Sequence, residues 1–427
     1  MTAGGEGQAR LALCEGVRTP FVRSFGKFLG ATADDLARAV LVEVIDRSGI
    51  DPGRLDEVIL GCAGQPVRAM NIARVAALRA GVPEHVPAVT VHRNCASGIE
   101  AIAGGLRRVR AGEADLVLAG GTESMSDAPF QLTPEAGRKL VRAFGAKGLL
   151  PRLSLLLKLR VKELFPRETL RAALTDPISG LLMGDTAEVL AREYDISREE
   201  QDAYAAESQR RSVEARERGV FAEESMPFLV PPAFRKVVEQ DDGVRSDSTP
   251  ERLARLRPVF DRRFGTVTVG NACQITDGAA AVLTASPRAV QRHGLPVVAW
   301  VNDVLTVGCD PRRMGLGPAV AIPKLLAEHG LEAGDVAVWE INEAFAVQVL
   351  ACLKELGDAA PPRDRLNVHG GAIGLGHPVG ATGVRIVWTL ALELRRRGAR
   401  YGVASLCVGG GQGAAVLLEN PEAGGDA

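Results

Sequence analysis

Short apolar runs alternate along the chain with amphipathic stretches whose apolar residues recur at helical spacing. The amphipathic stretches at residues 32–48 and 383–397 predict helices. The apolar runs predict strands at residues 58–61, 88–91, 115–119, 336–341 and 401–406. Because strands that alternate with helices are typical of layered α/β proteins, the pattern predicts helices that cover a mixed sheet.

The same succession of elements occurs twice in the chain. Residues 99–121 and residues 384–411 each predict a helix with a basic end, a glycine, an apolar strand and a glycine turn. Basic residues in the last turn of a helix complement the helix dipole, so that part of the likeness is generic. The shared order and lengths indicate a duplicated unit, with one copy in each half of the chain.

Residues 131–172 differ from the rest of the chain in charge. They hold ten lysines and arginines against three glutamates, and seven leucines are interleaved between residues 149 and 159. The basic residues are Arg138, Lys139, Arg142, Lys147, Arg152, Lys158, Arg160, Lys162, Arg167 and Arg171. This pattern indicates an insertion that carries a basic amphipathic helix. Most such helices pack on their own protein, and the alternative is a contact with an anionic membrane or a partner subunit.

Composition and charge exclude several classes of protein. The 427 residues carry a formal net charge of −1, which argues against a protein that coats nucleic acid. The seven cysteines are scattered without a Cys-x-x-Cys pair, so reduced cytosolic thiols are expected rather than disulfides or a zinc ribbon. Residues 1–16 lack the features of a signal peptide, and no apolar run is long enough to span a bilayer. We therefore expect a cytoplasmic protein of two or three domain-sized units.

A candidate nucleophile lies where the predicted strand at residues 88–91 ends and a helix begins. Residues 94–98 are Asn-Cys-Ala-Ser-Gly, which places Cys95 at or beside the helix N-terminus. The unpaired N–H groups and the helix dipole at that point favour a thiolate, so the pKa of Cys95 is expected to fall. The small residues that follow leave room for a bulky electrophile. An isolated cysteine, however, is more often a buried structural residue.

A glycine-rich stretch at residues 367–383 surrounds His377. Its glycines allow the backbone to approach a ligand closely, but the Gly-Lys-Ser/Thr ending of a nucleotide P-loop is absent. Pro378 fixes the direction of the chain directly after the histidine, which is suited to take a proton from a thiol. For a histidine taken alone, a hydrogen-bonded turn residue is an equally common role.

Two further candidate sites follow predicted strands. Cys407 lies just before the three glycines at residues 409–411, and Asn342 and Glu343 come directly after the strand at residues 336–341. Functional sites in α/β sheets collect at strand ends. Taken alone, Cys407 is more often a small buried residue, and the polar pair is more often a helix cap.

Together and in this order, these motifs resemble those of the thiolase family. The motifs are residues 94–98 (Asn-Cys-Ala-Ser-Gly), 342–345 (Asn-Glu-Ala-Phe), 376–378 (Gly-His-Pro) and 407–411 (Cys-Val-Gly-Gly-Gly). The likeness runs from residue 16 to residue 413. It implies a five-layered αβαβα fold of the α/β class, built from two similar halves with an inserted loop domain. The expected N-terminal half is residues 1–126 and 241–287, the loop domain is residues 127–240, and the C-terminal half is residues 288–427.

The resemblance also implies an activity, that of a 3-ketoacyl-CoA thiolase (acetyl-CoA acyltransferase) working in fatty acid β-oxidation. Cys95 would be the nucleophile that becomes acylated, and His377 would activate it. Cys407 would be the second acid/base. Asn342 would hold a water that, with His377, stabilises the enolate or thioester oxygen, while the backbone N–H groups of Cys95 and Gly409 would form another oxyanion hole. The resemblance implies no metal or other cofactor, since coenzyme A is a substrate.

Five positions are expected to contact the substrate or CoA. Met183 belongs to a segment that resembles the family's Met-Gly-x-Thr-Ala-Glu sequence at the substrate tunnel. Leu182 stands where acetoacetyl-CoA enzymes commonly have histidine, which favours longer acyl chains. Arg245 would lie near the adenine and phosphates of CoA. Cys273 replaces the usual serine at the pantetheine contact, and Phe345 belongs to the Asn-Glu-Ala-Phe motif.

The expected partners follow from the same resemblance. They are acyl-CoA and CoA, further copies of the chain in a homodimer or homotetramer, and no nucleic acid. Residues 131–172 are similar to the extra segment in the thiolase subunit of trifunctional fatty-acid-oxidation complexes, where that segment touches a partner subunit and the membrane. A hydratase/dehydrogenase subunit or a membrane surface is therefore expected there. The likeness is partial, because Asn342 stands where those subunits often have histidine. His369, where asparagine is commoner, is given no role.

Three other activities are alternatives to this one. A biosynthetic acetoacetyl-CoA thiolase would carry the same catalytic residues, and the sequence decides neither chain length nor direction. A non-catalytic acyl-CoA-binding protein is expected to lack one of Cys95, His377 and Cys407, and all three are present. The related ketosynthases use Cys-His-His, which the cysteine at position 407 argues against.

Overall fold

The computed structural model describes residues 9–128, 130–160, 163 and 167–423. The chain divides into two compact units, of which one comprises Met1–Asp127 and Asp176–Ala427 and the other Ala128–Thr175. None of the described helices is both long enough and apolar enough to cross a membrane.

A ten-stranded mixed sheet runs through the larger unit. From one edge to the other, its strands are Val336–Ile341, Tyr401–Val408, Gln412–Glu419, Ala299–Gly308, Leu11–Arg18, Thr276–Ala285, Leu116–Glu123, Glu57–Gly61 and Ala88–Val91, with Val22–Arg23 paired to Thr276–Ala285 beside this path. The first four form the C-terminal half-sheet, and the others form the N-terminal half-sheet. All five predicted strands are present, two of them with longer C-terminal ends.

The two half-sheets pair their strands in the same order. Each has a parallel pair of strands, then a strand antiparallel to that pair, then the strand that comes first in that half of the chain. The two first strands, Leu11–Arg18 and Ala299–Gly308, pair with each other antiparallel and join the halves. In the C-terminal half, the position that corresponds to the edge strand Ala88–Val91 holds a single parallel bridge, between Trp339 and Leu366. This repeated order supports the predicted duplication.

Successive residues of the strands face different cores, as the two-residue period of a strand requires. Leu11 and Leu13 pack in a central cluster that contains both half-sheets and two helices, whereas Ala12 and Cys14 pack with outer helices. The central helices are Ser97–Arg110 and Val379–Arg397. The outer helices are Ala33–Ser48 and Ile72–Arg79 on the N-terminal half-sheet, and Gly317–Glu328 and Ala346–Leu356 on the C-terminal half-sheet. The layers therefore follow the expected order αβαβα.

Helix boundaries follow local chemistry and packing. The predicted helix at residues 32–48 is confirmed, and Thr32 caps it: its hydroxyl accepts from the Asp35 N–H at 3.3 Å, and the Asp35 carboxylate accepts from the Thr32 N–H at 3.1 Å. Such caps stabilise a helix by about 1 kcal/mol. The helix predicted at residues 383–397 begins earlier, at Val379. Its first turn contains Gly380, whose weak helix propensity hides this start in the sequence.

The remaining described elements of the larger unit are short or lie outside the sheet. The helices are Met183–Glu193, Arg198–Glu217, Pro250–Leu253, Pro287–His293 and Ala372–Leu375, and a small hairpin pairs Phe228–Leu229 with Val237–Val238. The 3₁₀ turns are Pro52–Arg54, Val67–Ala69, Met125–Asp127, Val220–Ala222, Pro311–Leu316, Ala333–Asp335 and Gly357–Ala359.

The smaller unit contains the predicted basic insertion. Its helices are Pro134–Gly145, Leu149–Leu156 and Thr169–Ala173, and Phe130–Gln131 pairs antiparallel with Arg167–Glu168. The single helix that the leucine pattern predicts is two described helices, separated at Gly148, whose φ is +104°. The Lys139 ammonium pairs with the Glu163 carboxylate at 2.8 Å. Val161, Lys162 and residues 164–166 of the predicted insertion lie outside the described residues.

Candidate active site

Cys95 lies in a tight turn between a strand and a central helix. The strand Ala88–Val91 ends four residues before it, and the helix begins at Ser97. The Ser97 hydroxyl donates to the Asn94 carbonyl at 2.7 Å and accepts from the Arg93 N–H at 2.9 Å, so the turn is held from within. Asn94 has a φ of +44°, a left-handed conformation that asparagine tolerates better than most residues. Cys95 is therefore presented on a rigid corner just ahead of the helix.

The pKa of Cys95 is raised, not lowered, so that expectation from the sequence is wrong. Burial of the thiol is the largest cause of the raised pKa; the backbone N–H groups of Gly409 and of Cys95 itself act in the opposite direction, and the Glu123 carboxylate adds to the rise. Desolvation of a thiolate outweighs the helix N-terminus here. Cys95 is thus a thiol that needs a base at the moment it reacts.

His377 is buried and has the properties of such a base. Its Nδ1 atom lies 2.6 Å from the Thr382 hydroxyl oxygen. Its Nε2 atom, also buried, has no hydrogen-bond partner among the described residues. Burial, and secondarily the nearby Arg385 guanidinium, lower the pKa of His377 to about 4. The imidazole is therefore neutral near pH 7 and able to accept a proton.

Glycines allow the Cys95 turn and the His377 loop to meet. A Cβ atom on Gly380 would lie 2.3 Å from the Thr122 carbonyl oxygen, and one on Gly383 would lie 2.4 Å from the Ile99 nitrogen. Because no real side chain fits at these distances, only glycine lets the two central helices begin against each other. The buried Glu123 carboxylate reinforces the junction by accepting from the Gly380 N–H at 2.9 Å.

Asn342 and Cys407 lie at the ends of neighbouring parallel strands. The Asn342 N–H donates to the Ser405 carbonyl at 2.9 Å, which keeps the two strand ends in register. Both side-chain polar atoms of Asn342 are buried without a partner in the described part of the chain. Burial raises the pKa of Cys407 well above its ordinary value, and the charge of Cys95 is the next cause. The two thiols are therefore close enough for the ionisation of one to oppose that of the other.

Apolar side chains line the same region. Met183, Phe345 and Cys407 belong to one hydrophobic cluster, together with Phe260. The Met183 sulfur would lie 3.1 Å from a Cβ atom on Gly409, which places this methionine against the glycine turn. Met183, which is predicted to contact the substrate, therefore lies beside Gly409, the predicted oxyanion donor.

The other residues predicted to contact the substrate or CoA have less direct links to the site. Leu182 is partly exposed, just before the helix Met183–Glu193. The Cys273 N–H donates to the Ala344 carbonyl at 3.0 Å, and burial, followed by the charge of Cys95, raises the pKa of its thiol to about 12. Arg245 is exposed and its backbone N–H donates to the Gln209 side chain at 2.8 Å, which ties it to the glycine loop through the Gln209–Ile373 hydrogen bond.

Several residues that shape the site were not predicted from the sequence. Glu343 was noted only as part of a motif, yet its carboxylate accepts from Tyr204, Ser208 and Asn367 and so holds the start of the glycine loop. Glu123 ends an otherwise apolar strand, and that charged ending is the one signal that could have identified it.

His369, to which the sequence assigns no role, is buried and bonds the Glu393 carboxylate at 2.7 Å. Glu393 lies near the end of the central helix Val379–Arg397 and also pairs with Arg397. The histidine therefore anchors the beginning of the glycine loop to this helix.

Comparison with known proteins gives matches over most of the chain. Two family models match, the N-terminal domain of thiolase over residues 11–288 and the C-terminal domain of thiolase over residues 295–420. A beta-ketoadipyl-CoA thiolase of Pseudomonas aeruginosa is 43% identical over 415 residues, which cover 95% of this chain and 98% of that protein.

Three solved structures are also similar to this chain. Human mitochondrial 3-ketoacyl-CoA thiolase is 39% identical with a TM-score of 0.87, over 97% of this chain and 99% of that chain. The complex of the human enzyme with CoA gives 38% identity and a TM-score of 0.86, over 97% and 98% of the two chains. The acetyl-CoA acetyltransferase of Bacillus anthracis is 39% identical with a TM-score of 0.88, over 97% and 100%.

Proposed function

The chain belongs to the thiolase family, and we propose that it is a 3-ketoacyl-CoA thiolase, which uses CoA to cleave 3-ketoacyl-CoA into acetyl-CoA and a shortened acyl-CoA in fatty acid β-oxidation. The observation that carries the proposal is the position of Cys95 and of the neutral His377, each just ahead of one of the two central helices whose first turns pack against each other. A thiol, a base and an oxyanion donor are the parts that acyl transfer through cysteine requires.

In the first half of the reaction, His377 Nε2 takes the proton of Cys95 and the sulfur attacks the 3-keto carbon. The bond between the α and β carbons then breaks, and its electron pair passes to the enolate of acetyl-CoA. Asn342, through a bound water, and the imidazolium of His377 stabilise that enolate oxygen, and Cys407 gives it a proton on carbon. Such donors contribute about 3 kcal/mol each to transition-state stabilisation.

In the second half, the acyl group is carried on Cys95 as a thioester. The thiol of CoA gives its proton to Cys407 and attacks the acyl carbon, while the N–H groups of Cys95 and Gly409 stabilise the tetrahedral oxyanion. Collapse releases the shortened acyl-CoA, and the proton on His377 returns to the Cys95 sulfur. No metal and no other cofactor enters this proposed sequence, in which CoA is a substrate.

The residues around the site suit a long acyl chain. Apolar surface beside Cys407 is supplied by Met183, Phe345 and Phe260. Leu182 directly precedes Met183 in the chain, and the backbone of Cys273 bonds that of Ala344, the residue before Phe345. Arg245, which is exposed, would pair with CoA phosphates. Rates of thiolysis on 3-ketoacyl-CoAs of four to sixteen carbons test this preference, and rates that are highest on the shortest substrate would contradict it.

A second candidate substrate is a dicarboxylic 3-ketoacyl-CoA. The observation that favours it is the name of the Pseudomonas relative, which is 43% identical. Acetoacetyl-CoA is a third, supported by the similarity to the Bacillus acetyltransferase. Adding 3-ketoadipyl-CoA and acetoacetyl-CoA to the same panel separates the three, because kcat/KM on each reports transition-state binding directly.

The test of the chemistry itself is a covalent one. Mass spectrometry of the protein mixed with 3-ketoacyl-CoA, without free CoA, is expected to find the acyl group on Cys95. An unmodified Cys95 peptide would contradict both the nucleophile and the reaction, and it would favour the alternative in which the protein only binds acyl-CoA.

We propose a cytoplasmic homodimer or homotetramer that contacts an anionic membrane through residues 131–172. Support comes from the exposed apolar residues Leu149 (73%) and Leu150 (82%), which lie among basic side chains on the helix pair. Such surfaces bind anionic lipid by combining apolar burial with charge. Light scattering after gel filtration measures the number of copies.

Flotation with vesicles of phosphatidylglycerol and phosphatidylcholine tests the surface. The double change Leu149→Ser and Leu150→Ser is expected to abolish flotation, whereas the control Val67→Ser, at an equally exposed valine elsewhere, is expected to keep it. If the wild-type protein does not float but shifts in gel filtration with a co-expressed hydratase/dehydrogenase subunit, a protein partner replaces the membrane.

A further inference from the structure

Thr382 makes two hydrogen bonds next to the proposed base. Its side chain is fully buried in the first turn of the central helix Val379–Arg397. The hydroxyl oxygen lies 2.6 Å from His377 Nδ1 and 2.9 Å from the carbonyl oxygen of Pro378. A threonine hydroxyl in a helix commonly bonds the carbonyl four residues earlier, which here is Pro378 and which fixes the side-chain rotamer.

Counting protons assigns the direction of both bonds. The hydroxyl has one hydrogen, and a carbonyl oxygen only accepts, so that hydrogen points at Pro378. The Thr382 oxygen must then accept from His377, and Nδ1 must carry a hydrogen. The opposite arrangement would leave the Thr382 oxygen facing the Pro378 carbonyl without a proton between them, at 2.9 Å in a buried site, which is costly.

We propose that Thr382 is a positioning residue that holds neutral His377 as the Nδ1–H tautomer and so reserves Nε2 as the atom that takes the proton of Cys95. This inference rests on the proposed function for the identity of the proton donor, but the tautomer itself does not. Nε2 is the ring nitrogen that has no hydrogen-bond partner among the described residues, as a free base requires.

The arrangement needs no rearrangement during proton transfer. When Nε2 gains the thiol proton, the ring becomes an imidazolium, and Nδ1–H continues to donate to Thr382. The same hydrogen bond therefore serves both charge states and becomes charge-assisted in the second. Without the hydroxyl, the neutral ring could place its hydrogen on Nε2, and that tautomer cannot accept a proton there.

The experiment compares Thr382→Val, which keeps the shape and removes the hydroxyl, with Thr382→Ser, which keeps the hydroxyl. The readout is the rate of alkylation of Cys95 by iodoacetamide from pH 6 to pH 10, measured by mass spectrometry, together with kcat and KM for thiolysis. At neutral pH, Thr382→Val is expected to slow alkylation and kcat by about tenfold to a hundredfold, which is less than the loss of a whole general base because the imidazole is kept. KM should change little, and Thr382→Ser should stay within about threefold of wild type. Equal alkylation by the valine variant and the wild type would overturn the proposal.

A second measurement observes the tautomer in the wild-type protein and uses a variant for signal assignment alone. Nitrogen NMR of the wild-type protein labelled at its six histidines distinguishes the tautomers, and His377→Gln identifies the relevant signals. A protonated Nδ1 and an unprotonated Nε2 are expected, and the reverse pattern would overturn the proposal. If the NMR signals show the expected tautomer but the protein cleaves no 3-ketoacyl-CoA, the result would count against the proposed function alone.

Discussion

The side-chain amide of Asn94 donates a hydrogen bond of 2.7 Å to the backbone carbonyl of Gly409. Asn94 precedes the proposed nucleophile in the N-terminal half of the chain, and Gly409 follows Cys407 in the C-terminal half. The bond orients the peptide unit after Gly409 and, through it, the glycine turn whose backbone N–H lowers the pKa of Cys95. One side chain thus links the turn of the proposed nucleophile to that of the proposed oxyanion donor across the junction of the duplicated halves.

Replacing Asn94 tests this connection. Asn94→Gly keeps the left-handed backbone, with its φ of +44°, and removes the amide. We expect kcat to fall by about tenfold to a hundredfold, which is less than the loss of a whole oxyanion donor. Asp195→Gly is the matched control, because Asp195 also has a left-handed φ of +47° but is exposed on the surface. Similar activities of the two variants would contradict the role of the Asn94 bond.

The two site cysteines should separate into different steps. Cys95→Ser is expected to abolish the acyl-enzyme, since an alcohol with a far higher pKa cannot be activated by a base as weak as His377. Cys407→Ser is expected to leave Cys95 open to alkylation and to lower turnover by about a thousandfold, in the range of general acid–base catalysis. Cys309→Ser, at a half-buried cysteine outside the proposed steps, serves as the control. Wild-type turnover in either site variant would contradict its role.

The strands and motifs could be predicted because their signals are local. The runs at residues 88–91 and 336–341 match the observed strands residue for residue, since each apolar run is bounded by polar or turn residues. The motif residues Cys95, His377 and Asn342 follow such strands or begin helices, and α/β packing brings such positions together.

What the sequence could not provide depends on contacts between distant residues. The direction of the Cys95 pKa shift is set by burial, which a sequence does not specify, and local helix geometry alone predicted the wrong sign. The pairing of His369 with Glu393 joins positions 24 residues apart. The split of the insertion into two helices was missed because basic and apolar residues are interleaved on both sides of Gly148, so composition alone does not mark the break.

The buried His377 should make the free energy of unfolding depend on pH. Its folded pKa is about 4 against an ordinary 6.5, so between these values the unfolded chain binds a proton that the folded protein does not. Stability from this group is therefore complete above pH 6.5 and is lost as the pH falls, by about 3 kcal/mol at pH 4. Urea unfolding at pH 7, 6 and 5 measures the slope.

His377→Gln should flatten that slope, because glutamine does not titrate. His85→Gln removes an exposed histidine and is expected to keep the wild-type slope. A slope that is the same in His377→Gln and in the wild-type protein would show that His377 is not held neutral by its surroundings.

The close approach of the two central helices predicts the effect of a single methyl group. In Gly380→Ala, the new Cβ would lie 2.3 Å from the Thr122 carbonyl oxygen and 2.8 Å from the Gly61 carbonyl oxygen. Neither backbone atom can yield as a flexible side chain would, so the helix start must move away from the Cys95 turn. Overpacking of this kind costs about 1–3 kcal/mol, and urea unfolding should show a loss of that size. Gly334→Ala is the control, because its Cβ would meet nothing within 4 Å and its backbone conformation suits alanine.

Activity should fall more steeply than stability in Gly380→Ala, since a displacement of less than 1 Å between base and thiol already misaligns proton transfer. A variant that is destabilised but retains full kcat would show that the packing at Gly380 supports the fold without setting the distance between His377 and Cys95.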